Sequence, residues 1–240
     1  MAIENGEWIM RGLEWDDPSR IQSWEELIDW INEIGFLPLF KNEIHGFSAE
    51  ENTSDLYWWT GDEAQDPWEW RELIARSGQV AYGKFFGKKA GFISKAWFPH
   101  FANYRRDGYD FDSRWDEELA SIRCKRVMDQ FEHKDELFSF ELKRLAGFGK
   151  EGEKNFEGIV TDLQMQGYLL IRDFRRRINK KGLEYGWPIS VYSTPEALWG
   201  YDHIATAYRT DPAASRELIY QQVRRNFSEV EDLELDVVLG

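Results

Sequence analysis

The chain has 240 residues, of which 42% are hydrophobic, and a formal net charge of −14 at pH 7. This length and apolar content suffice for one large or two small globular domains. No apolar run approaches the roughly 18 residues of a membrane-spanning helix. The amino terminus also lacks the basic-then-apolar pattern of a secretion signal, so we expect a soluble cytoplasmic protein without membrane association.

The sequence contains no recognisable metal or cofactor motif. Cys124 is the single cysteine, which excludes an internal disulfide and a zinc site of the CxxC type. The histidines are scattered, and the P-loop, the Rossmann glycine fingerprint and the GxSxG elbow are all absent. We therefore expect no metal and no cofactor.

The negative charge is concentrated at one end of the chain. Residues 1–72 hold 18 acids and 4 bases, whereas residues 73–240 hold 26 of each. Two basic strips lie in this neutral remainder, and local potential decides where a polyanion can bind. Residues 80–106 contain no acid and carry Lys84, Lys88, Lys89, Lys95, Arg105 and Arg106. Residues 172–181 contain one acid, Asp173, and the bases Arg172, Arg175, Arg176, Arg177, Lys180 and Lys181.

In chain order, the first predicted helix begins at the capping box of Ser23 and Glu26, carries an apolar stripe, and ends at Gly35. A second helix follows Asp66 and Pro67, as N-cap and first-turn proline, and reaches about Ser77. Residues 80–86 and 90–94 then predict a hairpin around a glycine-lysine turn. Ser94 is a candidate cap for a helix that carries Trp97, Phe98, Phe101 and Tyr104.

Farther along, apolar spacing predicts helices over residues 116–133, 137–145 and 155–166. The first two have apolar stripes that include Leu119, Ile122, Leu137 and Leu145. Strands over 168–174 and 183–192 follow, joined by the polar turn 179–182. Three helices and a hairpin in this order predict a winged helix. Later helices are expected at Pro195, at Pro212, and after a capping box from Ser228 to Glu231 that opens a helix carrying Val230, Leu233 and Val237.

The predicted fold class is mainly α with small β-hairpins (α+β), arranged as tandem winged-helix-like units. We expect three parts. Residues 1–109 form an acidic, Trp-rich winged-helix-like unit, residues 110–200 a central winged helix with a basic wing, and residues 201–240 carboxyl-terminal helices.

Each candidate site has two open interpretations. Residues 172–181 are either a DNA-contacting wing or the solvated outer part of a hairpin. The strip that includes Lys84, Lys88 and Lys89 is either a nucleic-acid surface, because lysines alternate with aromatics, or the edge of a core. The predicted helix over 155–166 carries Glu157 and Asp162, which argues against base reading by this helix.

The aromatic-rich segment 57–71 also has two interpretations. Four indole rings either line a pocket for a planar ligand or pack as a core: Trp58, Trp59, Trp68 and Trp70. If the segment is catalytic, the candidates to position a water are Asp62, Glu63, Gln65 and Asp66.

Several motifs resemble those of a bacterial family called AlkZ-related. They are DPWEWR at residues 66–71, AYGKFF at 81–86, LQMQGY at 163–168 and YSTPEALW at 192–199. The family is named for its similarity to winged-helix DNA glycosylases of the AlkZ and YcaQ class, which repair crosslinks. Those enzymes position a water with a Gln-x-Gln or Gln-x-Asp motif near the amino terminus. The corresponding segment here, residues 35–40, has no glutamine, and the only Gln-x-Gln lies at Gln164 and Gln166.

The resemblance implies a nucleic-acid-associated protein of the DNA-repair glycosylase type, with duplex DNA as partner at the basic wing, and the missing glutamine motif argues against glycosylase activity. The alternative is a non-catalytic interaction or regulatory module that binds a protein partner or a small ligand, because winged helices serve both purposes.

Overall fold

The computed structural model describes residues 2–4 and 7–240. Its helices are α1 to α11, in chain order Trp24–Ile34, Pro67–Ser77, Phe98–Arg105, Phe111–Asp116, Ile122–Met128, Ser139–Leu145, Phe156–Met165, Pro195–Trp199, Tyr201–Ile204, Pro212–Asn226 and Asp232–Leu239. Its strands are β1 to β8, in chain order Ala2–Glu4, Glu7–Ile9, Phe36–Pro38, Val80–Phe86, Lys89–Ser94, Glu136–Phe138, Leu170–Ile178 and Glu184–Ser193. Within the described residues, no helix has both the length and the apolar content that a membrane crossing requires.

The chain forms two compact units. The first comprises the residues up to Phe98 together with Glu217–Gly240, and the second is Pro99–Arg216. The predicted domains 1–109, 110–200 and 201–240 stay a prediction. A domain is a segment that can fold alone, and packing within one structure does not test that property.

The first unit packs α1 and α2 on the antiparallel sheet β3-β5-β4. Ser23 caps α1 by accepting the backbone N–H of Glu26, and the buried stripe of α1 is Leu27, Ile28, Ile31 and Ile34. Gly91 of β5 lies against the backbone carbonyl of Leu37 and the ring of Phe86, where a Cβ atom would stand within 2.6 Å of both. A side chain at residue 91 would therefore clash where Pro38 of β3 pairs with β5, and glycine avoids that clash.

The second unit contains the predicted winged-helix elements in the predicted order. The helices α5, α6 and α7 precede the hairpin of β7 and β8, and β6 adds a third strand to give the sheet order β6-β8-β7. Phe156, Ile159 and Leu163 of α7 are buried, as predicted. Both three-stranded sheets place their first strand beside their third. The mainly α fold with small β-sheets is confirmed, and the tandem winged-helix assignment stays a prediction.

Some predicted boundaries and faces are wrong. The helix expected over 116–133 begins only at Ile122, because the Ser121 hydroxyl caps it by accepting the Cys124 N–H. Leu119 and Ile122, predicted to lie on its apolar stripe, are exposed. Leu137 lies in β6 instead of a helix, since its backbone pairs with Tyr192 of β8.

The last helix also differs from its prediction. Its capping box joins Glu231 and Glu234 instead of Ser228 and Glu231. The predicted apolar face is also wrong, because Leu233 and Val237 are exposed while Leu235, Val238 and Leu239 are buried.

Candidate nucleic-acid interface

The hairpin of β7 and β8, which we call the wing, ends in a tight turn. The Gly182 N–H donates to the Asn179 carbonyl at 3.0 Å, and the Asn179 N–H donates to the Leu183 carbonyl at 2.9 Å. The Asn179 side chain accepts the Lys181 N–H at 2.8 Å, and Gly182 takes the positive φ of 77° that the turn requires. This geometry places Lys180 and Lys181 at the extreme end of the wing.

A bulge divides the wing into an inner and an outer part. Arg175 pairs with Ile189, but Arg177 pairs with Tyr185, so three residues of β8 stand opposite Arg176 alone. Those three are Gly186, Trp187 and Pro188. Residues 176–187, which we call the wing tip, are all exposed.

The inner arginine is held by ion pairs. Arg175 donates to both carboxylate oxygens of Glu136 on β6, one of them at 2.9 Å, and to Asp173 at 2.6 Å. The hydrogen bonds that Arg175 donates to Glu136 raise the pKa of Arg175, and the two carboxylates largely neutralise its charge locally. Arg172, nearer the core, is half-buried. Arg175 is thus already paired within the unit, and a nucleic-acid contact by Arg172 or Arg175 stays a prediction.

The cations of the wing tip are in a different situation. Arg177 lies over the Phe140 ring, with its guanidinium carbon 4.5 Å from the ring centroid, and this contact leaves its edge accessible. Arg176, Lys180 and Lys181 are exposed, and none of them forms an ion pair with any residue that the structure describes. The structure thus brings four of the six predicted wing residues together at one exposed end.

The first basic strip is more heterogeneous than predicted. Lys84, Lys88 and Lys89 are exposed on or beside the β4–β5 turn of the first unit. Arg106 is fully buried in the second unit, so its membership of a surface strip is wrong. The neighbouring Arg105 donates to the Met165 carbonyl at the end of α7 at 2.9 Å.

Arg106 instead joins several segments of the second unit. Its guanidinium donates to Glu196, to the Tyr208 hydroxyl and to the Gly167 carbonyl, each at 2.6 Å, and it lies 4.4 Å from the Tyr168 ring centroid. Burial alone would lower the pKa of Arg106, but the Glu196 carboxylate and the Tyr208 oxygen raise it. Arg106 therefore stays charged inside the unit.

The four tryptophans predicted to line a pocket differ in how deeply they are buried. Trp70 and Trp58 are buried, whereas Trp59 and Trp68 are more accessible. The ring centroid of Trp59 lies 6.0 Å from that of Trp58 and 6.5 Å from that of Trp68. The guanidinium carbon of Arg71 lies 3.8 Å from the Trp68 ring centroid. Trp59 thus contacts both Trp58 and Trp68, and the pocket assignment stays a prediction.

The candidate catalytic residues differ in the same way. Asp66 is fully buried and accepts backbone N–H groups from Trp59 at 3.1 Å, Gly61 at 2.9 Å and Trp68 at 2.8 Å. Asp62 and Glu63 are exposed, and Gln65 is half-buried. Asp66 thus caps α2 and fixes the preceding loop, while a catalytic role for any of the four stays a prediction.

We expect Asp66→Ala to lower the free energy of unfolding by about 2 kcal/mol, at the upper end for loss of an N-cap, because the N–H groups of Trp59 and Gly61 also lose their acceptor. Urea denaturation of the variant measures this loss. The control Glu63→Ala removes a nearby exposed carboxylate and should change stability by less than about 0.5 kcal/mol. Equal losses in the two variants would contradict the structural role.

Sequence reasoning missed Trp187, which is 87% exposed. A glycine and a proline beside it were the available signal, because both residues mark bulges and edges when they occur within a strand. Gly186 has a φ of 78°, and Pro188 carries no N–H to donate to a partner strand.

Comparison with known proteins identifies the family of this chain. A family model described as AlkZ related matches residues 21–240. The comparison with curated proteins finds no match. The matched range includes the wing, Arg106 and the aromatic segment 57–71. Since it spans most of the chain, this protein belongs to the AlkZ-related family.

Proposed function

We propose that this protein associates with nucleic acid, in the manner of the DNA-repair glycosylases to which its family is related, and that the wing tip is its contact surface. The observation that carries the proposal is the local charge. Residues 176–187 hold four bases and one acid, Glu184, on a chain whose net charge is −14. Three of these bases have no ion-pair partner among the described residues, so binding a phosphate would break no internal contact.

The helix that precedes the wing supports a contact that does not depend on base sequence. The buried residues of α7 are mostly apolar, with Thr161 and Gln164 the polar ones, and its exposed residues include Glu157 and Asp162. These carboxylates would repel phosphates if α7 entered a major groove. Binding would then rest on cations that contact the backbone, which position a protein on a duplex but read no sequence.

Salt dependence is the direct test. Four phosphate contacts, from Arg176, Arg177, Lys180 and Lys181, predict a slope of log affinity against log salt of about −3 to −4, since each contributes about −0.9. The acidic first 72 residues oppose association at long range, so the titration starts at low salt. Fluorescence anisotropy of a labelled duplex at several salt concentrations gives the slope.

The triple variant Arg176→Ala, Lys180→Ala, Lys181→Ala should reduce the magnitude of this slope by about 3 × 0.9. A matched control removes three exposed bases elsewhere in the second unit: Lys134→Ala, Lys150→Ala, Arg209→Ala. Both variants have the same net charge, so a difference between them isolates the wing tip. Absence of binding at low salt, or an equal slope in the two variants, would contradict the proposal.

The same hairpin gives the interaction-module alternative its support. Ile178 and Leu183 are 67% and 62% exposed, and a protein partner could cover them. Binding of this kind would depend weakly on salt, because little of it would come from released counterions. Absence of duplex binding at low salt would therefore favour this alternative.

A further inference from the structure

The proposed contact with nucleic acid leaves the large apolar side chains of the wing tip unexplained, and the most exposed of them is Trp187. We propose that Trp187 stacks on a base that lacks a stacking neighbour, so that the wing binds nucleic acid with a missing, extruded or unpaired base in preference to an intact duplex. This inference rests on the proposed function and adds the class of nucleic acid that the site selects.

The local backbone holds Trp187 away from the body of the unit. The bulge sets Gly186, Trp187 and Pro188 opposite Arg176 alone, so Trp187 has no directly paired neighbour across the hairpin. Among the large apolar side chains that the structure describes, Trp187 has the greatest exposure. An indole exposed to water lacks the stabilisation that burial of its apolar surface would give. A ligand with a flat apolar face would cover the ring and supply that stabilisation.

Charge complementarity indicates which ligand has such a face. Arg176 lies directly across the hairpin from the bulge, and Lys180 and Lys181 lie beyond it at the turn. A surface that alternates cations with an exposed aromatic ring matches a chain of phosphates and bases, since every base has a face on which an indole can stack.

A lipid surface fits the same residues less well. The part of the wing that would enter a bilayer first is the turn with Lys180 and Lys181, and burying these ammonium groups in hydrocarbon is costly. On nucleic acid the two lysines stay at the phosphates, in water, while Trp187 reaches a base.

The preference for unpaired bases follows from stacking. In an intact duplex each base already stacks on its neighbours, so an inserted indole must first separate a base step. At an abasic site or a gap one neighbour is missing, and the indole gains a stacking partner without that separation. Stacking of one base therefore favours the damaged duplex by about 5- to 150-fold, which corresponds to the roughly 1–3 kcal/mol of one base–aromatic contact.

The test compares two labelled duplexes of identical sequence, one intact and one with a single tetrahydrofuran abasic-site analogue, by anisotropy at one low salt concentration. The wild-type chain should bind the abasic duplex about 5- to 150-fold more tightly. Trp187→Ala should bind the two duplexes equally, and Trp187→Phe should keep part of the preference. Trp15→Ala, which removes another exposed indole, should keep all of it. Because Trp187 is exposed, its variants should melt as the wild type does.

Tryptophan fluorescence supplies a second readout that a purely structural role would not change. Stacking on a base quenches indole emission, so the abasic duplex should quench the wild type more than Trp187→Phe. A preference that survives in Trp187→Ala overturns the inference. Equal binding of both duplexes by the wild type overturns it too, while the proposed function stands. Binding to neither duplex overturns both, and Trp187-dependent binding to anionic vesicles in that case assigns the surface to a membrane.

Discussion

Replacing Arg106 with methionine should destabilise the second unit by about 3 kcal/mol, the lower end of the range for breaking a buried ion pair. The reason is the set of groups that Arg106 leaves behind. The Gly167 carbonyl and the Tyr208 hydroxyl lose their donor inside the unit, and Glu196 loses its countercharge. Glu196 stays partly exposed to water, which reduces the loss below that of a fully buried carboxylate.

Urea denaturation followed by circular dichroism measures this change. Arg106→Lys keeps the charge but has a single nitrogen where the guanidinium reaches three acceptors, so we expect an intermediate loss. Arg209→Met removes an exposed arginine from the same unit and should shift stability by less than about 0.5 kcal/mol. If Arg106→Met unfolds at the same urea concentration as Arg209→Met, the buried ion pair contributes nothing to stability.

Cutting Leu163 to alanine should cost about 2–5 kcal/mol, because Leu163 is fully buried on α7 and its removal leaves a cavity. The Leu163 carbonyl also accepts the Tyr168 N–H at 2.9 Å, so this residue joins the end of α7 to the start of the wing. A thermal melt of the variant gives the loss of stability.

Leu119→Ala is the matched control, since the same atoms are removed at a position that is half exposed. Its melting temperature should stay close to that of the wild type. A similar fall in the two variants would mean that the apolar face of α7 is not the core of the second unit.

Local chemistry made much of the fold predictable. Ser23 and Asp66 cap their helices with the hydrogen bonds that their positions require, and Asn179 and Gly182 form the wing turn. In each case the deciding interaction spans a few residues of sequence. The short strands β3 and β6 carry no such local signal, because only pairing with a distant strand makes them strands.

The site was less predictable, because a count of basic residues in the sequence does not show which of them form ion pairs. Arg106, Arg175 and Arg176 look alike in the sequence, yet one is buried against Glu196 and one is paired with Glu136, while the third is exposed. Glu196 is 90 residues from Arg106 and Glu136 is 39 residues from Arg175. Separations of this size are set by the tertiary fold, so the sequence could identify basic strips but not which of their charges reach the surface.

The bulge after Arg175 divides the wing into a fixed base and a replaceable end. Arg175 is tied to Glu136 and Asp173, whereas every residue from 176 to 187 is exposed and contributes little to the core. Substitutions in that end cost little stability, since surface positions away from buried contacts tolerate change. Related proteins could therefore diverge there, and new hairpin ends could be grafted between Arg175 and Pro188, so that one scaffold acquires different ligands without being redesigned.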